Sequence, residues 1–163
     1  MKNLIKNFGP IILAAGLMFS VTSCSKDDSP SKNSNDNGNI NIANLQAQIN
    51  SLPMESLSTT ELASLSFMRE EEKLARDVYI TLYSKWGVNI FNNISSSEQT
   101  HMDAVLLLLN KYNLTDPVGS NAVAVFNNAT LQNLYNQLVA QGNISVLDAY
   151  KVGATIEDLD IFD

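Results

Sequence analysis

Seven residues between Leu65 and Trp86 constrain the fold of this chain more than any other stretch. Leu65, Met68, Glu72, Ala75, Tyr79, Leu82 and Trp86 follow one another at intervals of 3, 4, 3, 4, 3 and 4. That recurrence marks one face of an α-helix, the face that packs inward. A carboxylate stands in the middle of it. Ile94, Glu98, His101, Val105, Leu108 and Tyr112 repeat the pattern at intervals of 4, 3, 4, 3 and 4, with Glu98 and the chain's single histidine in the seam. Leu147, Tyr150, Ala154, Glu157 and Ile161 do so at 3, 4, 3 and 4, with Asp160 beside Glu157 on the same helix. No run alternates in the manner of a half-buried strand, so the expected fold class is all-α.

Punctuation residues set the expected boundaries. Ser58-Thr-Thr-Glu61 is a capping box, in which side chains of Ser and Glu satisfy backbone N–H groups at a helix start. That helix is expected to run to Trp86, with Gly87 placed to end it. Ser95-Ser-Ser-Glu98 has the same form and predicts a second helix ending between Tyr112 and Leu114, before Pro117. A shorter helix is expected from Leu131 to Ala140, stopped by Gly142, and a last one from Asn143 or Ser145 onward. Between them, the loop from Asp116 to Thr130 is expected to lay Val123, Val125 and Phe126 over the bundle. Upstream, Ile42, Leu45 and Ile49 have helical spacing that Pro53 cuts short.

The beginning of the chain has a different character. Lys2 and Lys6 precede the apolar run from Pro10 to Phe19, which is shorter than the roughly 20 residues a spanning helix needs. Val21-Thr-Ser-Cys24 resembles a bacterial lipobox, and Cys24 is the only cysteine. Residues 1–23 therefore read as a lipoprotein signal peptide and Cys24 as the lipidated residue. Ser25-Lys-Asp-Asp28 is similar to the acidic export tag of Bacteroidetes outer-membrane lipoproteins, which implies a cell-envelope location and attachment to the outer membrane, with surface display an open alternative. From Ser25 to Asn41 the residues are mostly polar and small, the composition of a tether, so residues 24–57 read as tether with a short helix. About 105 residues, 58–163, are left to form a core.

Composition excludes several functions. Ten Lys and Arg stand against 17 Asp and Glu, a net charge of −7 that becomes −9 once Lys2 and Lys6 are removed with the signal. Such a balance argues against nucleic-acid binding, which draws its affinity from cationic contacts to phosphate. One cysteine rules out an intramolecular disulfide and a cysteine zinc cage, and one histidine rules out a multi-histidine site within the chain. There is no Gly-x-Ser-x-Gly elbow and no glycine-rich phosphate loop.

The carboxylates inside the apolar seams are the positive signal. Burying an unpaired carboxylate costs several kcal/mol, and three converging on one core repel one another, so protonation or a cation must relieve them. Glu98-x-x-His101 sets a carboxylate and an imidazole on one helix face, the i, i+3 pairing that bundles use to hold two metal ions. A carboxylate-rich shell with one histidine suits iron or manganese better than zinc.

These residues also carry a resemblance. Glu72-Lys-Leu-Ala-Arg-Asp-Val-Tyr79 has the Glu-x-x-Ala-Arg-x-x-Tyr form of the first helix of rubrerythrin-type ferritin-like proteins. Glu98-Gln-Thr-His101 resembles their second-helix Glu-x-x-His, and Glu157-Asp-Leu-Asp160 their third-helix acidic pair. More closely, residues 65–163 resemble a bacterial family of unknown function, number 2202, assigned to the ferritin-like superfamily. The resemblance implies a helical bundle with Glu72, Glu98 and His101 on one metal, Glu157 bridging or completing a second site, and Asp160 as a further candidate. It implies a dinuclear iron or manganese cofactor that oxidises metal or reacts with oxygen or peroxide. Such bundles take further ligands from a fourth core helix. The pattern here is still running at Ile161-Phe162-Asp163, so the implied bundle lacks that helix through C-terminal truncation, or a second copy or partner supplies it, or the site is defective.

Plainer readings compete at each position. Glu70 and Glu71 are expected on the surface, and Glu72 could pair with Arg76 one turn on. Glu98 could serve only as a cap, and His101 as a core histidine. Tyr79, Trp86 and Phe91 read as packing. The functional alternative to a metal-dependent activity is a non-enzymatic envelope module with a vestigial or structural site.

Overall fold

A computed structural model of the chain describes residues 40–162, with side chains as far as Asp158. The expected signal peptide, Cys24 and most of the tether lie outside the described residues. The described part is all-helical, in the order α1 (Ile42–Ser51), α2 (Thr59–Trp86), α3 (Asn89–Lys111), α4 (Ala129–Gly142) and α5 (Val146–Phe162). None of its helices is long and apolar enough to cross a membrane.

Helix α2 is the centre of the bundle, packed against α3, α4 and α5, while α1 lies against α3 and α4 against α5. It begins as its sequence predicts. The Ser58 N–H and hydroxyl both donate to Glu61 Oε2 at 2.7 Å, and the Glu61 N–H donates back to Ser58 Oγ at 3.2 Å. Ser58→Ala is expected to cost about 1 kcal/mol in denaturant unfolding, the usual worth of such a cap; an unchanged midpoint would contradict the role given to it. The helix ends at Gly87, whose left-handed φ of 64° lets its N–H reach the Tyr83 carbonyl. Between its ends, α2 buries Leu74, Ala75, Val78, Tyr79 and Leu82 in one cluster with residues of α3, α4 and α5. Met68, at the outer end of the expected seam, is exposed.

Helix α3 starts seven residues earlier than expected. Only Gly87 and Val88 separate it from α2, and the expected capping box at Ser95 does not form: Ser95 Oγ instead donates to the Asn92 carbonyl within the helix. The extra turn carries Phe91, buried between Tyr79 at 6.3 Å and Tyr150 at 5.3 Å. Burial of one such ring contributes about 1.5–3 kcal/mol, more than the side-chain cap that a start at Ser95 would have supplied. Trp86 closes the same end of the bundle, its indole N–H donating to the Gly142 carbonyl at 2.9 Å.

The loop between α3 and α4 is strapped to α2 by charged side chains. Lys73 donates to Asp77 and to the Ala122 carbonyl, Asp77 accepts the Ala124 N–H, and Arg69 forms a two-bond pair with Asp116. Glu70 accepts the N–H groups of Asn127 and Asn128. Glu70 is therefore buried, contrary to the surface position expected for it, because it satisfies backbone donors arriving from the loop; Glu71 is half-buried. Phe126 enters the core as expected, whereas Val123 and Val125 face outward. The Asn128 side chain caps α4.

Helix α5 turns a different face inward from the one its apolar spacing suggests. Ala149, Val152, Gly153 and Ile156 are buried, while Leu147 is 64% and Tyr150 48% exposed, and Ala154 and Glu157 are also exposed. The reason is which helices it meets. Its backbone packs closely on α2 and α4, with α3 reached through the Tyr150–Phe91 ring contact, and the small residues Ala149 and Gly153 admit that approach. A Cβ at Gly153 would stand only 3.3 Å from the Tyr79 hydroxyl oxygen.

Candidate metal centre

Because α2 and α3 are joined by two residues and run antiparallel, residues late in one meet residues early in the other. Glu72 on α2 thereby comes opposite Glu98 and His101 on α3. His101 Nδ1 lies 3.0 Å from Glu98 Oε2 and 3.5 Å from Glu72 Oε2. One ligand atom from each of the three residues falls within 4.8 Å of the others, a group able to hold a metal ion. The early start of α3 frees Glu98 from any capping duty and leaves it buried in the helix interior, its side chain 5% exposed. Glu72 and His101 are half-buried.

The field at this cluster calls for positive charge. The His101 pKa is raised from 6.5 to about 10, through hydrogen bonds to Glu72 and then Glu98, with burial opposing the shift and the charges of both carboxylates adding to it. Two carboxylates facing one another favour a cation between them, and in the protein alone the imidazolium fills that position.

Glu157 is not part of the trio. It stands across a groove from it, with the Tyr79 hydroxyl donating to Glu157 Oε1 at 2.8 Å and lying 3.3 Å from the Gly153 carbonyl oxygen. The groove, of about 400 Å³, lies between α3 and α5 with Tyr79 on its floor. Ile90, Phe91, Ile94 and Tyr150 line it, together with the polar side chains of Ser97, Glu98, His101 and Glu157. Asp160 belongs to α5, but its side chain lies outside the described part.

Two features of the site were not read from the sequence. One is the Tyr79–Glu157 bond, for which the Tyr at the end of the Glu-x-x-Ala-Arg-x-x-Tyr stretch was a signal. The other is the destination of Arg76. Its Nε and Nη2 groups donate to Asp77 Oδ1 at 3.0 and 2.8 Å, and its Nη1 to Gln99 Oε1 at 2.6 Å. Arg76 is thus bonded away from Glu72, which the plain helix-surface pairing would have joined to it.

Fold and site together define an all-α domain with a carboxylate–imidazole cluster between two antiparallel helices. The chain belongs to the family described as an uncharacterized protein domain, DUF2202, which matches residues 61–163. It is similar to the uncharacterized protein MJ0754 of Methanocaldococcus jannaschii, at 59% identity over 115 residues, which is 71% of this chain and 62% of that protein. The crystal structure of MJ0754, a hypothetical protein by its title, superposes with a TM-score of 0.67 at 59% identity, covering 68% of this chain and 63% of the other. The chain thus spans less than two thirds of the length of the relative it matches.

Proposed function

We propose that this is a lipid-anchored envelope domain of ferritin-like type, in which Glu72, Glu98 and His101 hold an iron or manganese ion. Glu157 and Asp160 of α5 contribute to a second ion of a carboxylate-bridged pair. The observation that carries the reading is the convergence of three ligand atoms from two helices within 4.8 Å. The donor set fits the group, since two carboxylates and one imidazole suit iron or manganese and supply negative charge that a divalent ion neutralises. Such an ion, when bound, supplies redox chemistry directed at its own oxidation or at oxygen or peroxide.

The chain's own residues do the rest. In the metal-free protein, buried Glu98 bonds His101 Nδ1 and so keeps the imidazole turned into the cluster. Tyr79 holds the Glu157 carboxylate at the far side of the groove, and the groove admits a small molecule to the cluster from solvent. Purified protein is expected to contain stoichiometric iron or manganese by elemental analysis. Metal-free protein whose melting does not move when Fe²⁺ is added anaerobically would overturn the proposal.

The envelope location rests on the lipobox-like run into Cys24. Cys24→Ser is expected to abolish incorporation of radiolabelled palmitate and to shift the protein from the membrane to the soluble fraction; equal labelling of variant and parent would exclude lipidation at this residue. A second reading, a non-enzymatic interaction module whose groove is completed by a second copy or a partner helix, is favoured by the exposure of Ile90 and Tyr150 in the groove. It predicts protein that is metal-free and self-associated or partner-bound.

A further inference from the structure

The cluster is bracketed on α2 by two arginines, Arg69 one turn before Glu72 and Arg76 one turn after it. Both reach across to α3. Arg69 Nη1 donates to the Met102 carbonyl at 2.7 Å, next to His101, and Arg76 Nη1 donates to Gln99 at 2.6 Å, next to Glu98. Each guanidinium is also anchored at its other edge by an aspartate: Arg69 by two bonds of 3.1 Å to Asp116, Arg76 by two bonds to Asp77. Gln99 is fixed in turn by a 2.9 Å bond from its amide to Asp103. Three polar rungs thus cross between the two helices, with the candidate ligands forming the middle one.

We infer that Arg69 and Arg76 are positioning residues for the metal centre, clamping α2 and α3 in the register that sets Glu72 opposite Glu98 and His101. The inference rests on the metal reading above. Its physical basis is the planar guanidinium, whose fork bonds two partners in fixed directions at once. Its second basis is charge. A free arginine one turn from Glu72 would pair with that carboxylate and compete with a metal ion. Asp116 takes up the charge of Arg69, Asp77 binds two edges of the Arg76 guanidinium while also pairing Lys73, and the Glu72 carboxylate is left facing His101. The clamp therefore acts through Glu72 and touches no ligand atom of the cluster.

The test is Mn²⁺ binding by the full chain, followed through the loss of the free-ion electron paramagnetic resonance signal. Arg76→Met and Gln99→Leu remove the same rung from its two sides. Each is expected to weaken Mn²⁺ binding about tenfold, the lower end for residues that orient ligands. The losses should be less than additive in the double variant, because the Arg76–Gln99 bond they share is lost only once. Arg69→Met should weaken binding similarly. Arg76→Lys should not restore it, since an ammonium can neutralise Asp77 without holding the two-partner geometry. Ser58→Ala, on the same helix but far from the cluster, controls for stability and should bind Mn²⁺ like the parent. Parental affinity in Arg76→Met and Gln99→Leu would overturn the clamp while leaving the metal reading standing, as would a loss that Ser58→Ala shares. Failure of the parent chain to take up Mn²⁺ would overturn the metal reading, and the clamp with it.

Discussion

His101→Ala and Glu98→Ala are each expected to abolish metal retention during purification and to weaken Fe²⁺ or Mn²⁺ binding by at least about 100-fold, the upper end of what changes to outer-shell residues cost. The expectation follows from the small number of ligands. The cluster has three members from two helices, and removing one leaves two donors and an open coordination sphere. Neither variant should unfold the protein. His101 is half-exposed, and Glu98 accepts its bond from His101 rather than from the backbone of another element. Parental metal content in either variant would remove that residue from the ligand set.

The same site predicts a pH dependence of known sign. His101 keeps its proton up to about pH 10 in the metal-free protein, and a metal ion must displace that proton. Affinity is therefore expected to rise about tenfold per pH unit between pH 6 and 9 in the parent chain. In the metal-free protein the sign is opposite. A group whose folded pKa is raised stabilises fully below its unfolded value of 6.5 and ceases to do so as pH rises through about 10. A flat affinity profile would mean that His101 does not ligate.

The second large effect belongs to the strap between α2 and the α3–α4 loop. Asp77→Asn is expected to destabilise the fold by about 3–5 kcal/mol, the cost of breaking a buried ion pair from one side. Lys73 and Asp77 are both completely buried. Asp77 serves Lys73, Arg76 and the Ala124 N–H together, so the variant leaves Lys73 charged in the interior without its counterion. Lys73→Met is expected to cost less, about 1–2 kcal/mol, because Arg76 and the Ala124 N–H still satisfy the carboxylate, and the new side chain stays beside Phe126, over whose ring the ammonium stands at 4.4 Å. Urea unfolding of the two variants checks both the size and the order. Equal or reversed losses would show that the pair is not the fastening of the loop.

Much of this arrangement was legible in the chain because it depends on neighbours in sequence. The capping box at Ser58, the stop at Gly87 and the i, i+3 placement of Glu98 and His101 on one face are consequences of local geometry. So is the short helix over Ile42, Leu45 and Ile49. The same local logic failed at Ser95. A capping box there competed with a turn whose merit lies in burying Phe91 against Tyr79 and Tyr150, residues 12 and 59 positions away.

By itself, then, the sequence determined an all-α fold, the extent of its long helices to within a turn at most ends, and the face of α3 that carries Glu98 and His101. Helical periodicity is a property of adjacent turns and needs no partner to be visible. The tertiary structure alone decided that α5 buries Ala149, Val152, Gly153 and Ile156 rather than its more apolar stripe. It alone decided that Glu70 and Asp77 lie inside, and that Arg76 turns to Asp77 and Gln99. The placements of Glu70, Asp77 and Arg76 depend on where a charge finds a partner. Those partners, the N–H groups of Ala124 and Asn127 and the side chain of Gln99, arrive from segments more than 20 residues away.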